Sequence, residues 1–221
     1  WEGGGTDPTG DDEVKRLWEE AADLIMPHLS GAEWPIVRIA LVTQARRFYS
    51  QTHAWRESCA PLYTVKGVAD YDILDVKDTS VIALRDVFVG QRRLCHELTP
   101  VEYRRERVRR PEGCPEAAAW IEDRLWLLPV PLQTGELIQA TTILQPARQC
   151  KGLPQELFDL HIDAIVYGAR AFLHESPGKP YSDSTLAGYF RGLFEQSFGQ
   201  FRDRADTGGA DVVRRTVPQF L

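Results

Sequence analysis

Methionine is nearly missing from this chain of 221 residues: Met26 is the only one, and with Trp1 in first place the expectation is that the true N-terminus lies elsewhere. Cysteine is scarce too. Cys59, Cys95, Cys114 and Cys150 stand far apart without a CxxC pair, which speaks against a zinc site or a dithiol redox motif and predicts reduced thiols. No apolar run approaches the roughly 20 residues that cross a bilayer, and the start has no basic region leading into an apolar one. A soluble protein with no membrane partner is the expectation. Positive charge is in the minority, 26 Lys and Arg against 32 Asp and Glu, and the resulting −6 argues against general binding to nucleic acid or anionic membrane. Absent as well are GxSxG, the P-loop and GxGxxG, so the common signatures of a nucleophile elbow, a nucleotide cradle and a dinucleotide fold are all lacking.

What is present is a core. At 43% apolar and 10% aromatic residues, the chain can bury one sizeable domain. Asp11, Asp12 and Glu13 load a first helical turn, Val14, Leu17, Trp18, Ala21 and Ile25 follow as a stripe, and Pro27 ends it. Pro35 suits the first turn of a second helix carrying Ile36, Ile39, Ala40, Thr43 and Arg47. Residues 62–72 and 81–89 read as one hairpin, 120–128 and 136–144 as a second. Leu157, Leu160, His161, Ala164, Ile165, Gly168, Ala169 and Phe172 then recur at helical spacing. After the breakers Pro177, Gly178 and Pro180, with Ser182 or Asp183 as N-cap, a last stripe runs Leu186, Phe190, Leu193, Phe194, Ser197, Phe198 and Phe201.

The expected fold class is α+β: an antiparallel helical bundle core, an inserted small antiparallel β-sheet made of two hairpins, and an extended C-terminal tail. Residues 1–10 read as a flexible lead and 11–206 as a single domain. Within it, helices are expected over 11–27, 35–55, 153–175 and 183–206, around a β-rich insertion at 61–146. Residues 207–221 form the tail.

Three surface features stand out. Arg104, Arg105, Arg107, Arg109 and Arg110 form the only basic run, able to grip phosphate or to meet acidic residues on a neighbouring subunit. Gly188, Gly192 and Gly199 share one helix face although each costs about 1 kcal/mol against alanine; close approach of another backbone, through Ala164 and Gly168 or from another protomer, would offset it. Beyond Gly208-Gly209 lies an apolar terminus too short to build a core. Enzymatic readings are thin: Asp159 and Asp163 lack a completing ligand, His161 falls on an apolar stripe, and Cys95-His96 adjacency is no dyad on a strand. No catalytic residue, metal or cofactor is expected.

Leu98-Thr99-Pro100-Val101-Glu102-Tyr103, Leu127-Leu128-Pro129-Val130-Pro131, Leu153-Pro154, Asp163-Ala164-Ile165-Val166-Tyr167-Gly168-Ala169 and Pro177-Gly178-Lys179-Pro180-Tyr181-Ser182-Asp183 follow one another over roughly residues 98–206. In this order the chain resembles the tail-adaptor, or head-tail connector, proteins of tailed bacteriophages. The resemblance implies a structural virion protein that is no enzyme, sits at the head-tail neck and is assembled in the bacterial host cytoplasm. Its implied partners are the portal protein, copies of itself in a twelvefold ring, a downstream tail or neck protein, and genomic DNA in passage through the channel. It also implies portal binding by the tail, here Val212, Val213, Arg214, Arg215, Val217, Phe220 and Leu221. Arg104, Arg105, Arg107, Gly188 and Gly192 are the candidates for contacts between subunits. The alternative is a nucleic-acid-binding regulator acting through Arg104–Arg110.

Overall fold

The computed structural model describes residues 15–72, 78–94, 96–109 and 112–207. β1 (Lys15–Leu17) leads into α1 (Trp18–Asp23), and after a single 3-10 turn at Met26–His28 comes α2 (Trp34–Thr52). The middle of the chain holds β2 (Arg56–Ser58), β3 (Leu62–Tyr63), β4 (Asp70–Tyr71), β5 (Thr79–Val89), β6 (Arg92–Arg93) and β7 (His96–Leu98). It continues with α3 (Pro100–Arg109), β8 (Glu112–Gly113), β9 (Ala117–Ile121), β10 (Arg124–Leu128), β11 (Val130–Pro131) and β12 (Leu137–Pro146). β13 (Gly152–Pro154), α4 (Gln155–His174) and α5 (Ser184–Asp206) complete the described chain.

This is a mixed α and β protein with four sheets among the described residues, not a helical bundle carrying one small sheet of two hairpins. β5 pairs with β12 along most of its length, through two register shifts, while β2 and β3 pair with the other edge of β12. A second sheet runs β4, β10, β9, β7, the last pair parallel. Both expected hairpins are therefore replaced. Period-two patterning shows that a segment is a strand but leaves its partner open, and one tight hairpin that does form, β9 with β10, turns at Glu122 and Asp123, both at positive φ. Neither residue gives the Asn-Gly or Asp-Gly signal that marks such turns.

The expected helix over 11–27 is also corrected. Lys15–Leu17 is extended and pairs antiparallel with β13, so Leu17 points outward at 43% exposure rather than joining the buried stripe. Gly152 permits this contact, since a Cβ there would stand 2.0 Å from the Arg16 carbonyl oxygen. The Trp18 backbone N–H then donates to Lys151 O and its indole Nε1–H to Cys150 O, each at 3.1 Å, which fixes α1 against the strand that opens α4.

The larger core packs α1, α2, α4 and α5 around Trp18, Phe48, Tyr49, Ile165 and Phe194, with Leu144 of β12 entering from the sheet. Burying each such side chain contributes roughly 2 kcal/mol. On α4 the buried face includes Phe158, His161, Ile162, Ala164 and Ile165, whereas Leu160 and Phe172 are 43% and 38% exposed. The true face is rotated by the pull of Phe158 and Ile162, which a stripe drawn through Leu157 and Leu160 leaves out. A separate core fills the sheet region around Leu84, Val89, Leu125, Leu127 and Ile138.

Candidate functional site

The basic run lies on α3, a helix the sequence reading left out. Thr99 caps it: the Glu102 backbone N–H donates to Thr99 Oγ1 at 3.3 Å, and Glu102 Oε2 accepts from Thr99 N–H at 2.9 Å and from its hydroxyl at 2.7 Å. These bonds favour the carboxylate and lower the Glu102 pKa. With Pro100 in the first turn, Thr99-x-x-Glu102 is a capping box preceded by no long apolar run, and that was the available signal. Tyr103 alone of α3 is fully buried, edge-on to Trp126 at 5.6 Å between ring centroids.

The arginines of α3 do not act as one patch. The Arg107 guanidinium lies over the Trp126 ring, 5.6 Å from its centroid, and Arg109 pairs with Glu106 at 3.2 Å. Arg105 borders a cleft of about 480 Å³ that Glu102, Glu106 and Glu116 also line, together with Leu98, Ala117 and Leu128. Arg104 is exposed and forms no ion pair among the described residues. Arg110 lies outside the described residues. A groove shared with three carboxylates repels a polyanion and suits a protein surface of mixed charge.

α5 begins at Asp183, whose Oδ1 accepts from the N–H groups of Thr185 and Leu186 at 2.9 and 3.0 Å. Its inner face carries Ala187, Phe194 and Ser197; its outer face carries Gly188, Gly192 and Gly199. A Cβ added at any of the three would meet nothing within 4 Å among the described residues, and neither Ala164 nor Gly168 of α4 approaches them. The close approach in the helix pair is elsewhere: a Cβ at Gly168 of α4 would come within 2.9 Å of the Phe194 ring. Tyr189, 61% exposed, borders the open glycine face, one turn before Gly192.

The end of α5 is tied down where the tail departs. Asp206 Oδ1 accepts from Arg56 Nη2 at 2.9 Å and from Arg85 Nη1 at 3.0 Å, Arg56 also donates to Ala205 O, and Arg202 to Gln51 O. The Arg56 bond, then that of Arg85, holds the Asp206 carboxyl below its usual range. Next to this clamp, burial and the charges of Arg202, Arg56 and Arg85 lower the pKa of His53. The portal-binding candidates Val212, Val213, Arg214, Arg215, Val217, Phe220 and Leu221 all lie outside the described residues.

His161 is 2% exposed, hydrogen-bonded through Nδ1 to the Tyr49 hydroxyl at 3.1 Å, and burial lowers its pKa to about 4. It is a neutral core histidine. Asp159 and Asp163 are both exposed, and no group of three or more His, Cys, Asp or Glu that could hold a metal occurs among the described residues. Cys59, Cys114 and Cys150 are free. No helix among these residues is long and apolar enough to cross a membrane. Compared with models of protein families and with curated proteins, the chain gives no match.

Proposed function

We propose that the chain is a structural virion protein, a head-to-tail connector whose copies form a ring on the portal, extend the DNA channel and carry the tail. The sequence resemblance over residues 98–206 motivates the reading, and the observation that carries it is the outer face of α5. Gly188, Gly192 and Gly199 weaken that helix with no contact among the described residues to offset them. A glycine face bordered by exposed Tyr189 makes sense as a seat for the backbone of another copy. The mixed charges of α3 add a second surface of the same kind, with Arg104 and Arg105 available to carboxylates of a neighbour. The clamp at Asp206 anchors the last described turn of α5, next in sequence to the residues proposed to bind the portal.

Portal protein and a downstream tail or neck component are the proposed partners, at the neck of a virion assembled in the host cytoplasm. The test is to mix the purified chain with portal protein and count subunits by native mass spectrometry. A closed ring on the portal, twelvefold by the resemblance, is the expected result. Absence of any complex at micromolar concentration, together with absence of the chain from purified particles, would sink the reading. Salt-sensitive binding of the isolated chain to DNA through Arg104–Arg110 would favour a nucleic-acid-binding regulator instead.

A further inference from the structure

Three arginines with no acidic partner among the described residues surround a groove on the side of α2. The groove, about 380 Å³, is lined by Arg38, Ile39, Val42, Thr43 and Arg46 of α2 and by Arg148 of the segment between β12 and β13. None of the three guanidinium groups forms an ion pair among the described residues. Two are held by main-chain oxygens instead: Arg38 Nη2 donates to Gln149 O at 3.4 Å and Cys150 O at 3.3 Å, and Arg46 Nη1 to Pro146 O at 2.6 Å. Arg148 is exposed and forms no side-chain hydrogen bond or ion pair among the described residues. Burial, and then the like charge of Arg148, lowers the Arg46 pKa, the direction expected where positive charge is gathered without compensation. In the middle of this charge stands Ile39, 59% exposed.

The mixture selects the occupant. A nucleic-acid backbone would satisfy the arginines but not the aliphatic floor, and the chain's net charge of −6 repels a polyanion at long range. Exposed aliphatic surface ringed by arginine is the composition of a protein contact, where arginine and apolar anchors are both enriched. The complement is present on the same chain. α1 and the turn after it expose Glu19, Asp23, Leu24 and Met26, the two apolar residues at 45% and 38%, and neither Glu19 nor Asp23 forms an ion pair among the described residues. Glu19 and Asp23 stand one helical turn apart on one face, about 6 Å along the axis.

We infer that the arginine groove of one copy receives the acidic ledge of α1 from a second copy, with Glu19 and Asp23 meeting Arg38, Arg46 and Arg148, and Leu24 covering Ile39. Groove and ledge are distinct patches, so the contact repeats head to tail, the mode that closes rings. The inference rests on the connector reading for its setting, but its own evidence is the charge pattern.

Sedimentation velocity on the full chain over a wide concentration range tests it. The wild type should self-associate in a salt-sensitive manner. R38E/R46E/R148E and E19R/D23R should each be monomeric, and an equimolar mixture of the two should associate again, because each groove then faces an opposite ledge. R148E alone disturbs no bond of the fold and should weaken association about tenfold, which keeps the test valid even if the triple variant misfolds. A wild type that stays monomeric throughout, or reversed variants that associate as it does, overturns the inference, as does groove-dependent binding of a DNA duplex without self-association. Charge-reversed chains that still form a ring on the portal overturn this contact and leave the connector reading standing. Restored association in the mixture, with no portal binding by the wild type and no copies of the chain in purified particles, supports the contact and sinks that reading.

Discussion

His161 links the acid stability of the fold to a single ring. In the unfolded chain it titrates near 6.5, and in the fold burial lowers it to about 4, so between those values the unfolded chain holds a proton that the folded one does not. Its contribution is fully present above pH 6.5 and is lost as the pH falls toward 4, by roughly 3 kcal/mol at about 1.36 kcal/mol per pKa unit. Urea unfolding at pH 7 and pH 4.5 should show the fall, and His161→Gln should remove most of it. An unchanged fall in that variant would assign the acid sensitivity to other groups. Gly168 offers a second residue-scale check. Alanine there gains up to about 1 kcal/mol of helix propensity, yet its methyl would press on the fully buried Phe194 ring 2.9 Å away. Overpacking at about 1–3 kcal/mol outweighs the gain, so Gly168→Ala should lower the thermal midpoint.

At the scale of elements, the outer glycines of α5 should behave in the opposite way. Gly188→Ala/Gly192→Ala meets no neighbour among the described residues, so the isolated protein should be stabilised by about 1–2 kcal/mol. If another copy packs on that face, the same variant should form fewer rings on the portal. A stabilised chain with undiminished ring formation would remove α5 from the subunit contact. The helices that matter most were readable because their signals are local: Pro35 in the first turn of α2, Asp183 capping α5, and aromatic residues every third or fourth position. α3 was missed because, apart from Tyr103, nothing in it is fully buried, and a helix with no apolar stripe is announced only by its cap. The strands were recognisable as strands. Their partners were not, because β5 and β12 pair residues as far apart in sequence as Val89 and Ile138 or Thr79 and Pro146, and that pairing is decided by which faces reach a common core, a non-local matter.

For the whole molecule, β12 is the shared element: Leu144 lies in the helical core, while Ile138 and Ala140 lie in the sheet core. The two cores should therefore unfold together. Ile138→Ala and Leu144→Ala should each cost about 2–5 kcal/mol and shift one common transition, seen alike by calorimetry and by far-ultraviolet circular dichroism. Two separated transitions in either variant would show that the sheet region melts alone. The tail calls for a different outcome. Deleting Thr216–Leu221 should leave the transition almost unchanged and abolish portal docking, whereas a large loss of stability would assign those residues to the core. The arginine groove could not have been foreseen, since Arg38, Arg46 and Arg148 converge only when the segment between β12 and β13 folds back along α2.

The hydrogen bond from Leu144 N–H to Trp55 O, 2.9 Å, together with the ladder of Arg56–Ser58 against Thr141–Ile143, brings the two ends of a long excursion side by side. The excursion from β3 to the start of β12 thus leaves and re-enters the helical scaffold at adjoining points, and between them β5 touches that scaffold again where Arg85 meets Asp206 and Val81 packs on the helical core. Its surface away from β5 is therefore an exchangeable cassette, which can be rewritten, for example to suit a different neighbour, while β5 stays in place to hold the end of α5.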